Sequence, residues 1–160
     1  MTRWSLLFSG MLLLVSLAIP VNTLAAGSLQ KQIDAIPSGG TLVLDAGVYK
    51  ESLILTKPMT IEGSAGTIIS SCTEEDPVIT INGEKVTIKN LQVESCSEAE
   101  GAAAIVVKGK EHTLENLSIT AVQFGIKLDE AMATTISQVE INGQGNKNGI
   151  DLWKASDNLY

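Results

Sequence analysis

Few side chains in this chain have the type and spacing to do chemistry, so each can be weighed in turn. Cys72 and Cys96 are the two cysteines, 24 residues apart, in the similar polar strings Ser-Ser-Cys-Thr and Glu-Ser-Cys-Ser. Such a pair can close a disulfide, or two thiolates can hold a soft metal. His112 is the single histidine, and with no second histidine or cysteine at ligand spacing it reads as a strand-edge residue rather than a metal ligand. The sequence therefore assigns no metal site. Asp129, Asp151 and Trp153 alternate with apolar neighbours, which turns them to the outside of a strand. An outward tryptophan beside a carboxylate can stack on a sugar ring or cover the coil below it, and packing is the preferred reading. The acid runs Glu74-Glu75-Asp76 and Glu98-Ala99-Glu100 read as solvated turns, with weak Ca²⁺ binding across adjacent coils as the alternative.

The elements that position these residues announce themselves as repeats. Strings from Ile79 (ITINGEKVTIKNLQV), Ile105 (IVVKGKEHTLENLSI) and Ile126 (IKLDEAMATTISQVEI) superpose, and a fourth begins at Ile150 (IDLWKASDNLY). Their starts are 26, 21 and 24 residues apart. Short alternating strands repeated at that period point to a β-solenoid, an all-β fold whose coils bury their apolar sides only by stacking. The alternation assigns three inward rows: Ile79/Ile81 with Ile105/Val107, Ile126/Leu128 and Ile150/Leu152; Leu91/Val93 with Leu117/Ile119 and Val139/Ile141; and Ile88, Leu114 and Ile136. Asn90, Asn116 and Gln138 recur at one slot, where stacked amides make a polar ladder; a polar binding row is the alternative. On neighbouring coils about 4.8 Å apart, Cys72 and Cys96 would lie at a similar angle, within the roughly 4.4–6.8 Å that a disulfide allows between Cα atoms.

Residues 1–26 are of another kind. Arg3 precedes an apolar run from Leu6 to Ile19, then Pro20 and Thr23-Leu24-Ala25-Ala26, the pattern of a cleaved secretory signal peptide. The run falls short of the roughly 20 residues a spanning helix needs. Removing the leader removes the sole arginine and leaves ten lysines against eighteen acids, a formal charge of −8. With no basic patch to neutralise phosphates, nucleic acid is excluded as a partner. Residues 27–160 are expected to form the N-terminal part of a parallel β-solenoid domain. Leu29, Ile33 and Ile36 fall at helical spacing behind Ser28, a candidate N-cap, and Pro37-Ser38-Gly39-Gly40 ends that short helix. Its expected job is to cap the first coil. The last coil stops within a strand and carries no cap, so the sequence is expected to be truncated at its C-terminal end.

Three stretches carry a resemblance: Leu29–Tyr49 (LQKQIDAIPSGGTLVLDAGVY), Lys57–Gly63 (KPMTIEG) and Asn146–Asn158 (NKNGIDLWKASDN). In them the chain resembles the NosD family of exported right-handed β-helix proteins, within the wider pectin-lyase-like group of carbohydrate-binding and sugar-hydrolysis repeats. The resemblance implies a right-handed parallel β-helix at the periplasmic or extracellular face of the envelope. It further implies an accessory protein, not an enzyme, that assists assembly of the copper centre of nitrous-oxide reductase beside an ABC transporter. Copper is implied by the resemblance alone, and the residues themselves indicate no cofactor. The chain departs from the family at Asp151, where a histidine is common, and no catalytic residue carries over. The alternative is a polysaccharide lyase, hydrolase or C5-epimerase of the pectin-lyase-like class, or a surface carbohydrate-binding or adhesin scaffold.

Overall fold

The structure, a computed structural model, describes residues 28–73, 77–144 and 149–160. The leader read over residues 1–26, the acid run Glu74-Glu75-Asp76 and Asn146–Asn148 lie outside those residues. One helix, α1 (Leu29–Ala35), precedes twelve strands. These are β1 (Thr41–Leu44), β2 (Gly47–Lys50), β3 (Leu53–Leu55), β4 (Met59–Gly63), β5 (Thr67–Ser71) and β6 (Ile79–Glu84). They continue with β7 (Val86–Ser95), β8 (Ala103–Lys110), β9 (Thr113–Ala121), β10 (Phe124–Met132), β11 (Thr135–Gly143) and β12 (Ile150–Trp153). Every strand pairing is parallel, and each strand lies one coil from its partner. One sheet is five strands deep in the order β12-β10-β8-β6-β3; the other holds seven strands. This is a parallel β-solenoid.

The register pairs like with like. Ile79 aligns with Ile105 and Ile81 with Val107, and the row continues through Ile126/Leu128 to Ile150/Leu152. Leu91, Leu117 and Val139 form a second row, and Ile88, Leu114 and Ile136 a third. The interior members are fully buried, and burying each such side chain contributes roughly 1.5–3 kcal/mol over leaving it in water. The last coil differs. Leu152 is in register but 50% exposed, because among the described strands β12 has a neighbour on one side only.

Two of the inward rows lie on legs that join into a single bent strand. In the first two coils the legs are separate, β1 and β2, then β4 and β5. From β7 onward they fuse, so that β4 and β5 both pair with β7. The bend falls at Asn90, Asn116 and Gln138, whose φ values of 59°, 49° and 53° are left-handed. Asparagine tolerates this conformation because its short amide bonds locally. A second left-handed column, Lys85, Glu111, Ala133 and Asp157, turns the chain between the sheets.

The helix caps the first coil as expected, burying Leu29 and Ile33, with its closest packing on β3. Ser28 occupies the N-cap position, but its side chain makes no capping bond to the helix. Glu51 takes that role: its carboxylate accepts the N–H of Leu29 at 2.6 Å and of Gln30 at 3.4 Å, while the Ser28 hydroxyl donates to it. A carboxylate from the coil end thus satisfies the free N–H groups of the first helical turn.

Gly109 shows how tightly coils approach at the turn out of β8. Its φ is +95°, and a Cβ there would sit 1.8 Å from the carbonyl oxygen of Gly83 on the coil below. Gly109→Ala is expected to destabilise by about 2 kcal/mol or more, since left-handed strain alone costs about 1–3 kcal/mol. Chemical denaturation measures this, and an unchanged midpoint would contradict the close approach.

Candidate functional site

Outward positions of the five-stranded sheet form two rows across the coils. The first runs Ile54, Thr80, Val106, Lys127, Asp151. The second places Asn82 against Lys108 and Asp129 against Trp153. Between Leu128 and Ala131 the register with β8 shifts, and Glu130 there has a φ of 57°. That bulge adds a residue to β10 just beyond Asp129, a device that re-aims side chains on a sheet. Asp129 meets Lys108 of the coil below in an ion pair of 3.0 Å.

The structure therefore brings Asp129, Asp151 and Trp153 onto one face. It adds two charged groups that the sequence pattern did not single out, Lys108 and Lys127, and it sets beside them Glu100, read from the sequence as part of a solvated turn. The two lysines were legible as outward positions of the repeat; Glu100 reaches the site from a loop, where periodicity carries no information. A cleft of about 400 Å³ lies over Val106, Lys108, Lys127 and Asp129, walled by the Ala99–Ala102 segment. Trp153, beside Asp129 in register, is 58% exposed. The packing expected of it uses less than half of its surface, because no described strand lies beyond β12.

The wall of the cleft is tied down. Cys72 and Cys96 form a disulfide with Cα atoms 5.0 Å apart, each following a residue of the aligned pair Ser71 and Ser95. Closing that span stabilises by about 3 kcal/mol in the chain-entropy account. Gln123 of the next coil donates its side-chain N–H to the Glu98 carbonyl at 3.3 Å. Among the described residues no group of three or more His, Cys, Asp or Glu side chains is placed to hold a metal ion.

The amide column lies elsewhere, at the bend of the seven-stranded sheet. Asn116 donates to Asn90 Oδ1 at 2.9 Å, and Asn90 donates to Glu62 at 3.2 Å. Gln138 holds the same left-handed slot one coil further on and is exposed.

His112 stands at the strand entry assigned to it, yet it is 1% exposed, a core residue. Its ring fills the column of Val86 and Thr134, where Nδ1 accepts the N–H of Val86 at 3.3 Å. Nε2 must then carry the proton and donate to the Lys108 carbonyl at 3.0 Å. Asn158 does the same for the coil above, accepting the N–H of Thr134 at 2.8 Å. The ring is therefore a corner clamp, not a free ligand.

No family model and no curated protein matches the sequence. Solved structures do. A pectin methylesterase variant in complex with a hexasaccharide is 17% identical, with a TM-score of 0.63 over 78% of this chain and 50% of its own. The pectin methylesterase PemA of Erwinia chrysanthemi is 15% identical, with a TM-score of 0.62 over 83% and 52%. That of Aspergillus niger is 14% identical, with a TM-score of 0.59 over 78% and 56%. The fold is the parallel β-helix of these pectin methylesterases. The chain spans about half the length of the structures it matches, and at this identity the likeness shows the fold alone.

Burial pushes the His112 pKa below its ordinary value, against opposing contributions from the Lys108 and Gly83 carbonyls and from Glu111. The unfolded chain then takes up a proton near pH 6.5 that the folded one refuses, so stability is full above that value and falls as pH drops below it. The unfolding midpoint is expected to fall between pH 7.5 and 5.5. A His112→Val variant, which copies the residue at the Val86 slot, is expected to lose most of that slope; an equal slope in both proteins contradicts the account.

Proposed function

We propose that this chain is an exported pectin-lyase-like β-helix protein that binds polysaccharide on the outer face of β8, β10 and β12. One observation carries the reading: the cleft over Lys108, Lys127 and Asp129, with exposed Trp153 on the adjoining strand. Paired charges give a sugar's hydroxyls donors and acceptors held in place, and an exposed indole offers a flat apolar surface to a ring face. The solved neighbours support the ligand class, since they are named as pectin methylesterases and two hold a hexasaccharide. The leader-like residues 1–26 and the Cys72–Cys96 disulfide support export, because disulfides persist outside the reducing cytoplasm.

Binding needs only these groups. Catalysis on a glycan would ask more, such as a carboxylate of matched pKa within reach of the reacting proton, or a carboxyl pair at a set separation. Asp129 is held by Lys108, and we assign no catalytic role to it or to Asp151.

The NosD-like strings give a second reading, a factor in copper-centre assembly of nitrous-oxide reductase. What supports it is the string Gly149-Ile150-Asp151-Leu152-Trp153, whose last four residues form β12 and set the tryptophan on the same exposed face, there to meet a protein partner. A deletion strain whose nitrous-oxide reductase is fully copper-loaded and active would remove this reading.

Calorimetric titration with pectin fragments and a panel of other oligosaccharides tests the first. At least one is expected to bind, and Trp153→Ala to weaken it about tenfold, which is about 1.4 kcal/mol. If none binds, or the variant binds equally well, the reading fails.

A further inference from the structure

A second hollow shares no residue with the first. It measures about 280 Å³ and follows the bend of the seven-stranded sheet. Two columns line it. Asn90, Asn116 and Gln138 stand at the left-handed corners, and Gln92, Ser118 and Glu140 stand two residues further along each strand. Register fixes the second column, since Gln92 aligns with Ser118 and Ser118 with Glu140. Each group therefore recurs at the coil spacing of about 4.8 Å.

The lining is polar, holds no cation, and keeps hydrogen-bonding capacity in reserve. A primary amide has two N–H donors and a carbonyl with two lone pairs. Asn116 uses one donor on Asn90, and Asn90 uses one donor on Glu62 and its carbonyl on Asn116. The second donor of each and the Asn116 carbonyl have no partner among the described residues. Gln138, Gln92 and Ser118 make no side-chain hydrogen bond among the described residues. Glu140, the one charged group in the lining, accepts from Asn142 at 3.3 Å.

Three features of the ligand follow. It carries groups that both donate and accept, because amides offer both and their outward ends are unspent. It is not an anion, because the one charge in the lining is a carboxylate and the whole chain carries a formal charge of −7, and it is not a polycation, because that lone carboxylate does not recur from coil to coil. It repeats at the step of the coils. An extended peptide advances about 3.2–3.4 Å per residue and slips out of phase within two coils. A pyranose with its glycosidic oxygen advances by close to one coil step, and its hydroxyls donate and accept.

We infer that the corner groove is a second glycan site, which takes a neutral polysaccharide chain lying along the solenoid axis with one sugar facing each coil. Bonds to exposed amides replace bonds to water, so the affinity for a short oligomer falls in the millimolar range. The site stands independently of the outer face around Trp153.

NMR titration of ¹⁵N-labelled protein with neutral β-1,4-linked tetraoses tests this. The side-chain amide signals of Asn90, Asn116, Gln92 and Gln138 are expected to shift saturably. Gln92→Arg, an exposed position, is expected to weaken binding at least tenfold by filling the groove. Gln138→Gly suits the left-handed corner and is expected to weaken it severalfold while the fold is kept. Trp153→Ala is expected to leave these shifts unchanged, which separates this site from the outer face. Amide signals that stay still at saturating sugar, equal affinity in both groove variants, or a response to an extended peptide or an acidic oligomer alone would overturn the inference.

Discussion

Everything in this molecule depends on coils stacked in parallel and in register. The backbone bonds between coils are the same whichever residues face each other, so side chains must select the register. Isoleucine on isoleucine does so inside, where a slip of one residue would turn every apolar row out to water. Charges do so outside. Each ion pair among the described residues joins neighbouring coils: Glu62–Lys89, Glu84–Lys110, Lys85–Glu111, Lys108–Asp129 and Glu130–Lys154. Exposed pairs of this kind are worth about 0–1 kcal/mol each. Their weight lies in alternation: Glu84-Lys85 faces Lys110-Glu111 with the order reversed, so a shifted coil would set like charges together.

Much of the fold was legible because a solenoid writes its register into the sequence as period. The three inward rows, the cysteine pair and the capping helix follow from spacing. What escaped was decided by groups distant in sequence or by geometry that alternation does not encode. Glu51 displaced the Ser28 side chain as helix cap because the coil end delivers a carboxylate to the first turn. His112 was read at its strand position but not as a buried clamp, since polar character argued for an edge. The fusion of two legs into one strand turned on the left-handed tolerance of Asn90 and Asn116, which a ladder reading notices without predicting the bend.

The site divides in the same way. Asp129, Asp151 and Trp153 were found as outward residues of the repeat, and the register sets them on one face. The ion partner of Asp129 follows from the register of β10 on β8, which sets Lys108 next to it on the coil below, and the cleft wall follows from the loop held by Cys72 and Cys96. A scaffold of this kind separates stability from recognition: the interior is spent on stacking, and each outward row is free to vary. That is why 12–17% identity to the pectin methylesterases preserves the fold and says nothing of the surface chemistry.

If the outer face of β8, β10 and β12 is the principal recognition surface, a bound glycan must lie there. A crystal structure of the protein soaked with the best-binding oligosaccharide tests this most directly. The expected result is a sugar ring against the Trp153 indole, with hydroxyls bonded to Lys127 and to the Lys108–Asp129 pair. Sugar bound only away from this face, with the cleft left to solvent, would contradict it.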